Sequence, residues 1–465
     1  MKKYLLCALV IGIAAGYLNG QTGPKYPFPQ NVQYPFGEMT SVISNEFVQK
    51  WYDNWKKKYL QQCSNSIRPG VDPLTKSLVE AQGFAMVAVA YMGDKETFDA
   101  LYNYYKSKQN SDACGLMGWK VNGCDNFEDR GAATDGDIDV ACALIVASWQ
   151  WPDAGYKEKA SSLITTLKKM VLDCSGKLAV YPGCAGGRQW GGCDETDISY
   201  YTPAFFRYFA KVTGDESWAK LADDTHIIRD AAANKTTGLV PDWQSVAGRA
   251  GSGSRKGYFS FDAIRAPYKQ TMDFLWHGNE KAGAWAKKLT TWAHGFGVKK
   301  IVDGFQLDGS TAGSNHNMAS VGSMAVAAMA NTPEVLDAFA KEVITLKDDY
   351  WYSGYLGNLY LLALTGNMWN PEIIANQDKT HQIRKNVSNV QMKISKKANR
   401  CLSVSGLPQN SKITFSSLSG QRAFSASNVN DNSVIHINSL QGGCYIMTLC
   451  DQQGRKLDAR MISVY

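Results

Sequence analysis

From Leu78 to Asn367 one unit recurs: a nearly all-apolar stretch of helical length, a tight turn, then a stretch that is apolar on one side only. Leu78 to Tyr91 turns at Gly93-Asp94 into a segment with Phe98, Leu101, Tyr102 and Tyr105 on one face. Ile138 to Trp151 turns at Pro152-Asp153 into Tyr156 to Leu172. Tyr201 to Val212 turns at Gly214-Asp215 into Trp218, Leu221 and Ala222. Tyr268 to His277 turns at Gly278-Asn279 into Trp285, Leu289 and Trp292. Met318 to Ala330 turns at Asn331-Thr332-Pro333 into Val335, Leu336, Phe339 and Val343, and Tyr355 to Leu364 stops at Gly366-Asn367. Gly ends each first helix and the following Asp or Asn caps the second. With an opening helix over Asn45 to Tyr59, the count is about twelve helices in six pairs. A helix apolar all round must be buried all round, whereas a one-sided helix lies outside it. Six inner and six outer helices predict an all-α (α/α)6 barrel, whose inner-helix ends and loops build a groove.

The ends of the chain differ from this body. Residues 1–20 read as a secretory signal peptide: Lys2-Lys3, an apolar core from Leu5 to Ala15, then small residues. Cys7 lies inside the apolar core, too early for a lipid-anchor site, and no later apolar run is long enough to span a bilayer. The expected product is secreted or held at the cell surface. The barrel is assigned to 21–372, a polar linker to 373–395, and a small β-sandwich to 396–465. That last assignment follows from alternating runs at Cys401 to Val404, Lys412 to Phe415, Val434 to Ile437 and Cys444 to Met447.

Ten cysteines follow the leader, so disulfides are expected in an exported chain. Short spacings favour Cys114–Cys124 and Cys184–Cys193, with Cys444–Cys450 as a third pair, while Cys142 reads as a buried thiol. Neither Cys-x-x-Cys nor paired His spacing occurs, so no metal and no cofactor is expected. A net charge of +7 over 465 residues, with lysines scattered among acids, gives no nucleic-acid footprint. A monomer is expected. Thirteen Trp suit a cleft that stacks sugar rings, and a large aromatic core explains them equally well.

Carboxylates concentrate in Ala133-Thr134-Asp135-Gly136-Asp137-Ile138-Asp139, ahead of an apolar run ending at Trp149 and Trp151. Helix capping accounts for one such Asp, and three beside a Gly suggest a site at the mouth of the groove. Glycoside hydrolysis needs one carboxylic acid and one carboxylate flanking the bond. Glu80 opens an otherwise apolar helix, where burial would raise its pKa and keep the proton it must donate; the alternative is a solvated helix-start Glu. Asp262 lies among Tyr258, Phe259 and Phe261, with Arg265 three residues on to hold it ionised; the alternative is an ordinary helix cap.

The run from Ala133 to Trp151 resembles the signature of glycoside hydrolase family 8, an Ala-Ser/Thr-Asp-Gly/Ala-Asp stretch ending in an aromatic. Val79-Glu80-Ala81-Gln82-Gly83-Phe84 resembles that family's acid motif, with Ala81 in place of a Gly and Phe84 in place of a Tyr. Phe261-Asp262-Ala263-Ile264-Arg265-Ala266-Pro267 resembles its base motif, and the likeness runs over residues 25–370 in the expected order. The resemblance implies Glu80 as general acid, Asp262 as general base and Asp135 as the group that grips the sugar at subsite −1. It also implies sugar stacking on Trp119 and Trp190, with Tyr200 and Arg265 in the substrate site. Asp at position 262 matches the branch of cellulases and xylanases rather than chitosanases.

The expected function is a secreted, inverting endo-β-1,4-glucanase acting on cellulose or mixed-linkage glucan. An endo-xylanase is the alternative within the family. A non-catalytic glycan-binding protein and a lyase or epimerase are the readings outside it. The tail from about residue 390 resembles a type IX secretion sorting domain, on Gly442-Gly443-Cys444-Tyr445-Ile446-Met447 and the Gln453-Gly454-Arg455-Lys456 turn, which implies the type IX secretion machinery as a partner. A carbohydrate-binding module is its rival, with few aromatics to stack sugars.

Overall fold

The structure, a computed structural model, describes residues 23–253, 256–375, 393–397, 401–405, 407, 409–417, 421–450, 452 and 456–464. The leader read at 1–20, most of the linker at 373–395, and the 453–455 part of the C-terminal turn lie outside these residues. The chain divides after Asn370 into two compact units.

The first unit is helical. Among the described residues twelve α-helices occur, opening with α1 (Asn45–Tyr59), α2 (Val79–Met92), α3 (Lys95–Ser107), α4 (Thr134–Gln150), α5 (Tyr156–Leu167) and α6 (Pro203–Thr213). They continue with α7 (Ser217–Ala232), α8 (Ala266–His277), α9 (Glu280–Phe296), α10 (Met318–Ala328), α11 (Pro333–Val343) and α12 (Trp351–Leu364). The turns at Gly93-Asp94 and Gly278-Asn279 are those expected from sequence, whereas after Gly214 the cap position of α7 falls on Glu216, without a side-chain cap, and not on Asp215. Gly93, Gly214 and Gly278 end α2, α6 and α8 in the left-handed region, which glycine enters without a Cβ penalty. Asp94 and Asn279 then cap α3 and α9 by accepting from backbone N–H groups two residues into the helix.

Burial separates two classes of helix. Every residue of α10 is buried, as is every residue of α12 except Trp351, whereas α3 and α11 bury one face. The buried helices are mutual neighbours: α2 lies against α4 and α12, α10 against α12 and α8, and α8 against α6. The irregular lead-in packs on their far ends, where Tyr34 donates to the carbonyls of Ala363 and Met368 and the Tyr26 N–H donates to Gln150 Oε1.

Two glycines bring the starts of α2 and α4 together. A Cβ on Gly136 would lie 2.2 Å from the Val79 carbonyl oxygen, and one on Gly83 would lie 2.7 Å from Asp139 Cβ. No side chain fits between these turns, so the first turns that carry Glu80 and Asp135 are held backbone to backbone.

Short antiparallel strands build the loops at this end. Lys76–Leu78 pairs with Lys120–Asn122, Gly183–Ala185 with both Arg188–Trp190 and Ala132–Ala133, and Thr196–Asp197 with Trp243–Gln244. Three disulfides staple them: Cys63–Cys124, Cys114–Cys184 and Cys174–Cys193. This corrects the Cys114–Cys124 and Cys184–Cys193 pairings expected from short spacing. Bonding follows which hairpins adjoin in space, with Cα separations of 5.7, 6.0 and 5.5 Å. Cys444–Cys450 does not form either, since both lie on the strand Gly443–Cys450, where six residues span about 20 Å. Cys142 is a buried thiol, as read.

The second unit consists of two antiparallel sheets. One has the order Lys393–Lys397, Cys401–Ser405, Ser433–His436; the other runs Arg422–Val429, Ser411–Ser416, Gly443–Cys450, Lys456–Val464. Leu402, Val404 and Ile435 of the first share one apolar core with Ile413, Phe415, Met447 and Leu449 of the second.

Candidate active site

Arg265 is the centre of the polar cluster at the starts of α2, α4 and α8. It lies in the turn preceding α8, its side chain is 1 % exposed, and its guanidinium faces four carboxyl groups. Nη1 donates to Asp135 Oδ2 at 2.5 Å and to Glu80 Oε2 at 3.3 Å, while Nη2 donates to Asp262 Oδ1 at 2.9 Å and lies 3.8 Å from Asp197 Oδ2. The planar fork allows one side chain to serve several acceptors at fixed angles, which a lysine could not do. The ring of Tyr200 lies 5.7 Å from the guanidinium carbon.

The acids are held differently. Asp135 is buried, and its Oδ1 has no protein partner, leaving an acceptor available at the cleft floor. Neither Asp135 nor Asp137 acts as a helix cap: the cap position of α4 is Ala133, which has no side-chain cap to offer, and the Thr134 N–H donates to the Pro182 carbonyl. Asp137 accepts instead from the Tyr105 hydroxyl at 2.6 Å and the Met117 N–H at 3.0 Å, and Asp139 is clamped by Lys269 at 2.9 Å on both oxygens. Both therefore brace the site from beneath. Asp262 makes no capping bond either. Its second oxygen accepts from the Trp243 indole N–H at 2.9 Å.

Glu80 has 24 % of its side chain exposed, so it is half-buried beside Arg265. Burial pushes its pKa up to about 8 against the pull of Arg265, and the charges of Asp135 and Asp262 add to the rise. Burial, and then the Asp262 charge, also push Asp197 well above the usual carboxylate range and Asp242 up to about 8. One cation cannot keep this many acids ionised, so protons reside on some of them.

Exposed aromatic rings flank these groups. Trp190 is 41 % exposed and stacks on Trp243, centroids 5.9 Å apart at 19°. Phe261 is also exposed, and its carbonyl accepts from the Tyr352 hydroxyl at 2.6 Å. Trp119 is half-buried, and its carbonyl accepts from the Val79 N–H, tying it to the residue before Glu80.

The structure thus brings Glu80, Asp135 and Asp262 each into contact with Arg265, adds Tyr200 through its ring and Trp190 through Trp243, and attaches Trp119 by its backbone. Sequence reasoning missed Asp197, Asp242, Trp243 and Lys269. The dipeptide Asp242-Trp243 carried a signal, an acid beside an aromatic after Pro241, but no periodicity linked it to the other motifs.

Carboxyl groups gathered on one guanidinium and flanked by exposed aromatic rings suit a protein that performs acid–base chemistry on glycans. Comparison with known proteins agrees. Residues 26–369 match the family model of glycosyl hydrolases family 8, and the chain belongs to that family. It is 31 % identical to Endoglucanase 2 of Ruminiclostridium josui over 398 residues, covering 80 % of this chain and 83 % of the relative. It is 32 % identical to Endoglucanase A of Acetivibrio thermocellus over 390 residues, covering 79 % and 80 %. Among solved structures, a β-1,3-1,4-glucanase from Paenibacillus sp. X4 superposes with a TM-score of 0.70 at 25 % identity, over 75 % of this chain and all of that one.

Proposed function

We propose that this family 8 glycoside hydrolase is an inverting endo-β-1,4-glucanase acting on cellulose or mixed-linkage β-glucan, in a groove at one end of a closed (α/α)6 barrel. The observation that carries the mechanism is the sharing of Arg265 by Glu80 and Asp262. Glu80, its proton retained by burial, protonates the leaving glycosidic oxygen. Asp262, ion-paired with Arg265, takes the proton of the attacking water. Because a guanidinium bridges the two, they do not touch, which suits the roughly 6.5–9.5 Å separation that an inverting pair needs to admit a water. Asp135, with one oxygen on Arg265 and the other without a protein partner, grips the sugar at subsite −1. Trp190, Trp119 and Tyr200 line the path of the chain.

Relatives named endoglucanase support glucan over xylan. The test is reducing-sugar release from carboxymethyl cellulose, lichenan, xylan and chitosan side by side, with the anomer of the first product read by NMR. Faster release from xylan than from either glucan would overturn the substrate reading. A β-anomer would overturn inversion.

The unit from Pro371 onward presents few aromatic side chains for sugar stacking, which supports export sorting through type IX machinery rather than glycan binding. Truncation after Asn370 in the native host is expected to leave the enzyme active but retained by the cell.

A further inference from the structure

We propose that Trp243 is a positioning residue for the reaction: its indole N–H fixes the second oxygen of Asp262, and its ring links that carboxylate to the sugar platform of Trp190. The inference rests on the assignment of Asp262 as the base.

Asp262 is one-third exposed and sits on a short turn, so its backbone alone does not fix its χ angles. Two donors fix them. Arg265 holds Oδ1 and Trp243 holds Oδ2, each at 2.9 Å. With both oxygens engaged, the carboxylate has one orientation, and water must approach a remaining lone pair.

Trp243 is itself well anchored. Its N–H donates to the Lys256 carbonyl at 2.9 Å, its carbonyl accepts from the Gly251 N–H at 2.6 Å, and the strand Trp243–Gln244 pairs with Thr196–Asp197. The Lys256 ammonium lies 4.8 Å from its ring centroid, and the Tyr200 ring meets it edge-on at 6.3 Å. Trp190 covers it in a near-parallel stack. A sugar resting on Trp190 therefore presses on the ring that aims the base, so substrate occupancy and base alignment share one rigid pair of indoles.

Removing the indole N–H should therefore leave the Asp262 carboxylate held through Oδ1 alone, free to turn about its remaining bond to Arg265. The other groups facing Asp262 stay in place: Arg265 in contact, Glu80, Asp197 and Asp242 through their charges, and the phenols of Tyr200 and Tyr352.

The experiment is Trp243→Phe in the full chain, assayed on the best soluble β-glucan across pH, beside Asp262→Asn. Trp243→Phe is expected to lower kcat about 10- to 100-fold, the span of one hydrogen bond to a charged acceptor. KM should stay within about twofold, because the loss falls on the aim of the base and not on the sugar platform. Should Trp243→Phe fail to fold, replacing the indole by benzothiophene keeps shape and stacking and removes only the N–H, with the same expectations. Asp262→Asn inactive with wild-type kcat in the Trp243 variants overturns the positioning role and leaves the base intact. An active Asp262→Asn overturns the base assignment itself.

Discussion

Arg265 and Asp135 are 130 residues apart in sequence and meet at 2.5 Å with both side chains almost wholly buried. The pair joins the turn before α8 to the first turn of α4. The same guanidinium reaches Glu80 at the start of α2, so one cation organises three elements of the cleft. Its single positive charge against Asp135, Glu80, Asp262 and Asp197 sets how protons are distributed in the resting enzyme.

In the proposed mechanism Glu80 is the acid whose protonation the reaction needs. Because burial raises its pKa to about 8, it stays protonated through neutrality and loses its proton above that value. The kcat/KM profile is expected to fall on its basic side near pH 8. Glu80→Gln should remove that limb and lower kcat by about 10²–10⁴-fold while cello-oligosaccharide binding, followed by calorimetry, persists. Near-full activity in this variant on every β-1,4-glucan would remove Glu80 from the acid role.

Arg265 should matter to stability as much as to turnover. Arg265→Met leaves several buried carboxyl groups without their cation, and breaking a buried pair from one side costs about 3–5 kcal/mol. Arg265→Lys keeps the charge, but a point ammonium cannot donate to Asp135, Glu80 and Asp262 at their fixed angles. Urea unfolding should therefore rank wild type above Lys above Met, with both variants inactive on glucan. Equal midpoints for Lys and wild type would mean that charge alone suffices and fork geometry does not matter.

The helical body was legible because its signal is local. Apolar runs such as Met318 to Ala330, closed by Gly or Pro turns, admit few other solutions, and twelve α-helices duly occur among the described residues of the first unit. Glu80, Asp135, Asp262 and Arg265 were legible from their motifs. What escaped was non-local. Nothing in the spacing of Cys114 and Cys124 reveals that each bonds to a different neighbouring hairpin. Nothing around Trp243 in the sequence shows that its N–H would point at a carboxylate 19 residues on.

Stability should peak in mild acid, and Asp137 is a handle on why. Its folded pKa, raised by burial to about 7, lies above the ordinary 3.8, so the fold retains a proton that the unfolded chain releases. That contribution is complete below the unfolded value and is lost as pH rises through about 7. Glu80 and Asp242 act in the same direction up to about 8. Asp273 acts oppositely: despite its burial, His226 and Arg207 hold it at about 2, so its contribution is present above 3.8 and lost as pH falls toward 2. Urea midpoints are expected to be highest near pH 4–5 and to decline toward pH 8. Asp137→Asn keeps an acceptor for Tyr105 and Met117 but does not titrate, and should flatten that decline. An unchanged slope would show that Asp137 is ionised at neutral pH.

The Cys114–Cys184 disulfide joins stability to substrate binding. It closes a separation of 70 residues, which constrains the unfolded chain by about 4 kcal/mol in the loop-entropy account. Cys184 also lies on the strand that pairs with Arg188–Trp190, with Gln189 as its direct partner, so the bond anchors the hairpin that presents Trp190. The double variant Cys114→Ser/Cys184→Ser is expected to lose about 2–5 kcal/mol in urea unfolding. It should also raise KM for long β-glucans more than for short oligosaccharides, because the loosened hairpin no longer holds the Trp190 ring against Trp243. A stability loss with an unchanged KM would confine the disulfide to folding and show that the Trp243 stack alone holds the platform.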